Sequence, residues 1–148
     1  MRRMLILAAC IALVFPTTSA AADMFSATRP VIAILASELF VGEAEGHLNG
    51  AGTLTIRSQK DPGLACVGQF TSSPELGGSG ELRCNDQTSA TFIFQRLSVF
   101  RGHGAGRFSR GPMSFAYGLT VEEARPYLKL PDGKRLAHNG TELQLIDL

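Results

Sequence analysis

The chain alternates apolar and polar residues over short runs that are separated by glycine, proline, asparagine and aspartate. Leu54 and Ile56 share one face of such a run, and Ala90, Phe92 and Phe94 share one face of another. Alternation with a period of two is typical of β-strands that bury one face, and the turn-forming residues mark where strands end. The pattern predicts an all-β fold, a small antiparallel sandwich or barrel of about eight short strands.

Two glycine-rich stretches interrupt this alternation. Residues 71–80 are polar as well as glycine-rich and predict a long loop, whereas residues 102–112 predict a flexible connection or a tight bend. The spacing of Thr120 and Glu123 is that of a capping box. It predicts one short helix near residues 120–125, which the following proline ends.

The N-terminus differs from the rest of the chain. Two arginines precede an apolar run over residues 4–15, and small residues follow it up to Ala22. This order predicts a secretory signal peptide, because the apolar run is shorter than the roughly 20 residues that a membrane span needs. We therefore divide the chain into a signal peptide at 1–22, a flexible N-terminal segment at 23–30 and a single β-rich domain at 31–148.

Such a leader indicates a bacterial protein that is periplasmic or secreted, with no transmembrane segment after cleavage. Residues 7–10 also match the short motif at which bacterial lipoproteins are cut, so a lipid anchor at Cys10 is the alternative. Cleavage after residue 22 leaves Cys66 and Cys84 as an even pair. In an oxidising compartment these two cysteines are expected to form a disulfide bond.

The distribution of charge points to one candidate binding site. The chain carries 14 basic and 13 acidic residues, a balance that gives no general attraction to nucleic acid. The stretch from Gln87 to Val121 nevertheless holds four arginines and no acidic residue: Arg96, Arg101, Arg107 and Arg110. Guanidinium groups bind carboxylate, sulfate and phosphate groups through paired hydrogen bonds. These arginines are the candidate site for an anionic glycan, a lipid head group or an envelope protein.

The residues suited to catalysis are few. The three histidines are far apart in the sequence and lack the spacing of metal ligands, so we predict no metal site and no cofactor. The sequence therefore favours a non-enzymatic binding or accessory domain. One alternative is a small envelope hydrolase that uses Glu43 and Glu45 with His103. Another is an accessory subunit of an export or surface assembly, with residues 31–36 as an exposed edge strand.

A series of short elements around the cysteines resembles a known pattern: Cys66-x-Gly68-x-Phe70, Cys84-x-Asp86, Phe92-x-Phe94 and Phe115-x-Tyr117-Gly118. It is similar to that of small exported or lipid-anchored proteobacterial β-rich proteins of unassigned function, over about residues 50–118. Gln87 stands where a glycine usually follows Asp86. The resemblance implies an envelope location and a compact β domain, and it implies no activity.

Overall fold

A computed structural model describes residues 26–73 and 75–148, and its main body is a closed barrel of eight antiparallel strands. Each strand pairs with its neighbours in the chain, and the last barrel strand closes the ring by pairing with the first. The strands are β1 Ser26–Leu35, β2 Glu38–His47, β3 Ala51–Ser58, β4 Ala65–Ser73, β5 Gly77–Cys84, β6 Ser89–Ser98, β7 Arg101–Phe108 and β8 Gly111–Tyr117. The all-β prediction is confirmed, and the architecture is the barrel rather than the sandwich.

The predicted signal peptide at 1–22 and the alternative anchor site at Cys10 lie outside the described residues. So does the start of the predicted flexible segment at 23–30. Its second part, Ser26 to Pro30, belongs to β1 and pairs in register with residues 43–47 of β2. The described β domain thus includes residues before the predicted boundary at residue 31, because the ladder between β1 and β2 continues past it.

Strand alternation sends one face of each barrel strand into a shared core. The inward residues of β3 and β6 that the sequence pattern picked out are buried there. Cys66 and Cys84 also point inward, lie directly opposite each other on β4 and β5, and form a disulfide bond. The predicted cysteine pairing is confirmed.

Both stretches that the sequence predicted as loops are largely β-structure. Strands β4 and β5 extend through most of residues 71–80, and β7 occupies most of residues 102–112. The glycines of β7 face the barrel interior, where aromatic rings of neighbouring strands take up the space of a side chain. A Cβ on Gly104, for example, would lie 2.5 Å from Cζ of Phe115. A glycine under an aromatic ring of the next strand stabilises a curved sheet, so its presence does not mark a turn here.

The C-terminal segment covers the outside of the barrel at β1, β2 and β8. It contains a short helix α1 (Val121–Ala124), a 3-10 turn (Arg125–Tyr127) and a separate hairpin of β9 (Lys134–Asn139) and β10 (Glu142–Asp147). The predicted capping box is present at the start of α1. A second apolar cluster forms under this cover, where Ile32, Ile34 and Leu39 of the barrel meet Leu136 and Leu143 of the hairpin.

The second half of β1, residues 31–35, is therefore buried on both faces. It is also paired on both sides, since Val31–Leu35 bond to β2 along one edge and to β8 along the other. Residues 31–36 consequently do not form the exposed edge that the accessory-subunit hypothesis assumed. Across the described ranges, no helix combines the length and hydropathy that crossing a bilayer requires.

Candidate functional site

One end of the barrel is open and the other end is filled with side chains. The turns β2–β3, β4–β5 and β6–β7 surround the open end, which we call the mouth. Beneath the mouth lies a cavity of about 310 Å³, at the lower end of the range of roughly 300–1,000 Å³ that is usual for ligand pockets. At the opposite end, Leu35, Phe40, Cys66 and Cys84 are buried and fill the interior.

The wall of the cavity is mainly aromatic. Five phenylalanines line it, Phe100 at the mouth and four deeper in the barrel: Phe70, Phe92, Phe94 and Phe115. Phe70 and Phe94 meet edge to face with 5.6 Å between ring centroids, and Phe92 meets Phe115 in the same way at 5.2 Å. Each such pair contributes about 0.5–1.5 kcal/mol beyond the burial of its surface. These contacts hold the rings in one continuous apolar surface.

Glycines on the adjacent strands make room for these rings. Three pairs of directly opposed residues show this: Gly52 with Phe70, Gly80 with Phe92, and Gly102 with Tyr117. A Cβ on the three glycines would lie 2.1 Å, 2.5 Å and 2.3 Å, respectively, from the nearest ring or hydroxyl atom of the opposed residue. The rings therefore lie back over the barrel wall instead of filling the centre, which keeps the cavity open.

Arg96 reaches the cavity from β6, close to a shift of register between Arg96 and Ser98. Its Nη1 donates to the carbonyl oxygen of Val99 at 2.8 Å, and its Nη2 donates to Oγ of Ser72 at 2.6 Å. The Ser72 hydroxyl in turn donates to the carbonyl oxygen of Gly50 at 3.1 Å. Arg96 thus connects strand β4 and two of the turns at the mouth while its side chain borders the cavity.

Two buried polar atoms beside the cavity have no hydrogen-bond partner among the described residues: Nε of Arg96 and the hydroxyl oxygen of Tyr117. Leaving such an atom unpaired costs about 1–3 kcal/mol. Burial raises the pKa of the Tyr117 phenol, and the charge of Arg96 offsets part of this shift. The phenol therefore keeps its proton at neutral pH and presents a hydrogen-bond donor.

The mouth is bordered by exposed apolar side chains. Leu48, Leu76, Val99 and Phe100 lie in the three turns and are 76%, 81%, 66% and 44% exposed. The guanidinium of Arg29 lies 4.4 Å from the centre of the Phe100 ring. Exposed apolar groups around the opening of an apolar cavity are typical of a binding site.

The structure does not bring the four candidate arginines together. Arg96 lines the cavity, whereas Arg101 forms an ion pair with Glu123 on the outside of the barrel. Arg107 is exposed on the outer face of β7. Arg110 lies in the turn at the filled end and pairs with a carboxylate oxygen of Asp86 at 2.9 Å. Arg96 is thus the member of the predicted set that borders an enclosed space.

The residues of the hydrolase alternative are also apart. Glu43 and Glu45 lie on the outer face of β2, and His103 lies on the outer face of β7, where its ring stacks on Tyr127 at 3.9 Å. Strands β8 and β1 stand between them, so about 14 Å of sheet separates the two strands at the usual spacing. Within residues 26–73 and 75–148, no group of three or more His, Cys, Asp and Glu is placed to hold a metal ion.

Sequence reasoning selected Arg96 but missed Tyr117, Arg29 and the aromatic wall as site residues. One signal was present, since Arg96 continues the inward phase of Phe92 and Phe94 along β6. The alternation along β6 does not show that Tyr117 of β8 extends over β7 towards β6. Comparisons of the chain with protein families, with curated proteins and with solved structures find no match.

Proposed function

We propose that this protein is a non-enzymatic binding protein of the cell envelope that holds a small, largely apolar molecule inside its barrel. The observation that carries the proposal is the aromatic cavity of about 310 Å³ beneath the mouth. Burial of apolar ligand surface there gains about 25 cal/mol per Å². Because ring contacts and opposed glycines already fix the wall, little ordering is needed on binding.

The location is part of the same proposal. A periplasmic or secreted bacterial protein is supported by the predicted leader and by the disulfide between Cys66 and Cys84, a bond that persists in oxidising compartments. The alternative of a lipid anchor at Cys10 places the same barrel beside a membrane. A protein partner in place of a small molecule remains the alternative for the exposed apolar residues of the mouth.

The experiment is a binding titration with a neutral apolar fluorophore, N-phenylnaphthylamine, whose emission rises when it leaves water. We expect saturable binding of one probe per barrel. The variant Ala44→Phe places a ring in the cavity, because Ala44 lines it from β2. We expect this variant to fold and to lose most of the probe signal.

The matched control is Ala105→Phe, which adds the same ring on the exposed outer face of β7. It should bind the probe as the unchanged protein does, while circular dichroism shows that both variants fold. The proposal fails if the unchanged protein does not bind the probe, or if Ala44→Phe binds it as well as Ala105→Phe does. In the second case the probe would be bound on the outside of the barrel.

A further inference from the structure

The charged side chains that line the cavity are both arginines. Arg29 and Arg96 lie in the lining, and its described residues include no aspartate or glutamate. None of the ion pairs found among the described residues involves Arg29 or Arg96. The electrostatic potential inside an apolar space with such a lining favours an anion.

Arg96 has a buried donor that no described residue pairs with. Its Nη1 and Nη2 each donate one hydrogen bond, to Val99 and to Ser72, whereas its Nε–H is buried and unpaired. The hydrogen bonds to the turns hold the guanidinium in place, so its orientation does not have to be fixed when a ligand binds. A positioned guanidinium with an unpaired donor is suited to an oxygen that carries negative charge.

Tyr117 supplies a second donor beside Arg96. Gly102 lies between them, directly opposite Arg96 on one side and Tyr117 on the other. Because the glycine has no side chain, the phenol extends over it towards β6, and the hydroxyl is buried and unpaired. Arg96, Gly102 and Tyr117 thus form one inward row at the mouth, with the hydroxyl of Tyr117 over Gly102, on the side of Arg96.

Apolar surface continues from this row towards the filled end of the barrel. Phe94 contacts Tyr117 with 6.0 Å between ring centroids, and Phe92 and Phe115 lie deeper in the same lining. A molecule with its charged end at the donor row would therefore place its apolar part against these rings. The reverse orientation would put a charge among phenylalanines, where it would lose its hydration without gaining a partner.

We infer that the ligand is a single-chain amphiphile with one anionic head group, bound with the head group at Arg96 and Tyr117 and the chain against the phenylalanines. This inference rests on the proposed function, because it names the chemical class of the molecule that the cavity holds. Carboxylate and sulfate share the required chemistry, since each offers oxygen acceptors and a full negative charge. The volume of about 310 Å³ suits a chain of medium length.

The test compares four ligands with the same chain by isothermal titration below their micelle concentrations: decanoate, decyl sulfate, decanol and decyltrimethylammonium. We expect both anions to bind about tenfold more tightly than decanol, and the cation to bind more weakly than decanol. Whichever anion binds more tightly identifies the head group that fits better. The inference is overturned if decanol or the cation binds as tightly as the anions.

Two variants assign the effect to the donor row. Arg96→Gln and Tyr117→Phe should each lower the affinity for decanoate about tenfold and leave that for decanol within about twofold. The matched control Arg107→Gln removes an equal charge from the exposed outer face and should change neither affinity. Equal loss of decanoate binding in Arg107→Gln would show a general charge effect and overturn the assignment.

Tyr117→Phe keeps the test decisive if Arg96→Gln does not fold, because it removes only a hydroxyl that makes no hydrogen bond among the described residues. The two proposals fail in different ways. If decanol and the neutral fluorophore bind but decanoate has no advantage, the head-group inference fails and the apolar binding site stands. If none of these molecules binds, the proposed function fails and the inference fails with it.

Discussion

Gly102 and Tyr117 lie directly opposite each other on β7 and β8, and the phenol of Tyr117 occupies the space above the glycine. A Cβ at position 102 would lie 2.3 Å from the Tyr117 hydroxyl oxygen and 2.3 Å from the carbonyl oxygen of Gln95. These distances are far below van der Waals contact. The glycine therefore determines where the phenol lies, and so which donor the cavity presents beside Arg96.

The first prediction concerns this glycine. Gly102→Ala should lower the free energy of unfolding by about 1–3 kcal/mol, because the added methyl group overlaps both a backbone oxygen and the phenol. It should also weaken decanoate binding by displacing Tyr117. The measurement is urea unfolding followed by circular dichroism, with the titration repeated on the folded variant.

Gly46→Ala is the matched control, since Gly46 also lines the cavity but a Cβ there would have no atom within 4 Å. Its free energy of unfolding should be unchanged or raised by up to about 1 kcal/mol, through the lower flexibility of the unfolded chain. Equal stability of the two alanine variants would contradict the steric role assigned to Gly102.

The second prediction concerns the titration of Tyr117, one of two tyrosines in the chain. Burial raises the pKa of its phenol above the ordinary value of 10.0, against the smaller opposing effect of Arg96. In the folded protein, ultraviolet absorbance of phenolate should show a titration step of Tyr117 above the ordinary value. Tyr117→Phe should abolish that step.

The sign of the linked stability follows from this shift. Because the folded pKa lies above the unfolded pKa, the contribution of Tyr117 is fully present below about pH 10 and is lost as the pH rises through the folded pKa. The unfolding free energy of the unchanged protein should therefore fall more steeply above that pH than that of Tyr117→Phe. Parallel pH profiles of the two proteins would argue against a buried phenol.

The third prediction concerns the disulfide at the filled end of the barrel. Reduction of Cys66–Cys84 should lower the free energy of unfolding by about 3 kcal/mol, the value expected for a closed loop of this length. The paired variant with Cys66→Ala and Cys84→Ala should be equally weakened and should not respond to reductant. The reduced protein should still bind the neutral fluorophore where it stays folded, since the cavity lies at the other end.

Much of the barrel could be predicted from the sequence, because the patterns that indicate its strands and turns lie within short segments of the chain. Alternation located most strands and the spacing of Thr120 and Glu123 located the helix cap. The pairing of the two cysteines was predicted from their even number in an oxidising compartment. Each of these inferences needs only residues that are close together in the chain or a general rule about compartments.

The predictions that failed depended on contacts between residues that are far apart in the sequence. The inward glycines of β7 look like a flexible turn until the rings of Phe115 and Tyr117 are known to lie over them. Arg96 lines the cavity, whereas Arg101 is on the outside of the barrel, where it pairs with Glu123 of the C-terminal segment. The second apolar face of β1 is likewise explained only by the packing of Leu136 and Leu143 against it.

The last prediction concerns Gln87, which lies in the β5–β6 turn with φ of 72°. The left-handed conformation costs a residue with a Cβ about 1–2 kcal/mol. Glycine adopts it without that strain, and the additional chain entropy that glycine loses on folding costs about 0.5–1 kcal/mol. Gln87→Gly should therefore raise the free energy of unfolding by about 0.5–1 kcal/mol. Thermal and urea unfolding measure this change.

Gln69→Gly is the matched control of opposite sign. Gln69 is exposed in the middle of β4, where extended backbone suits any residue, so the same substitution should cost about 0.5–1 kcal/mol. Both positions lie outside the cavity lining, and neither variant should change binding of the neutral fluorophore. If Gln87→Gly destabilises the protein as Gln69→Gly does, the turn does not carry the strain that its backbone angle implies. A gain in stability at position 87 would instead show that the left-handed backbone there has a measurable cost when the residue is glutamine.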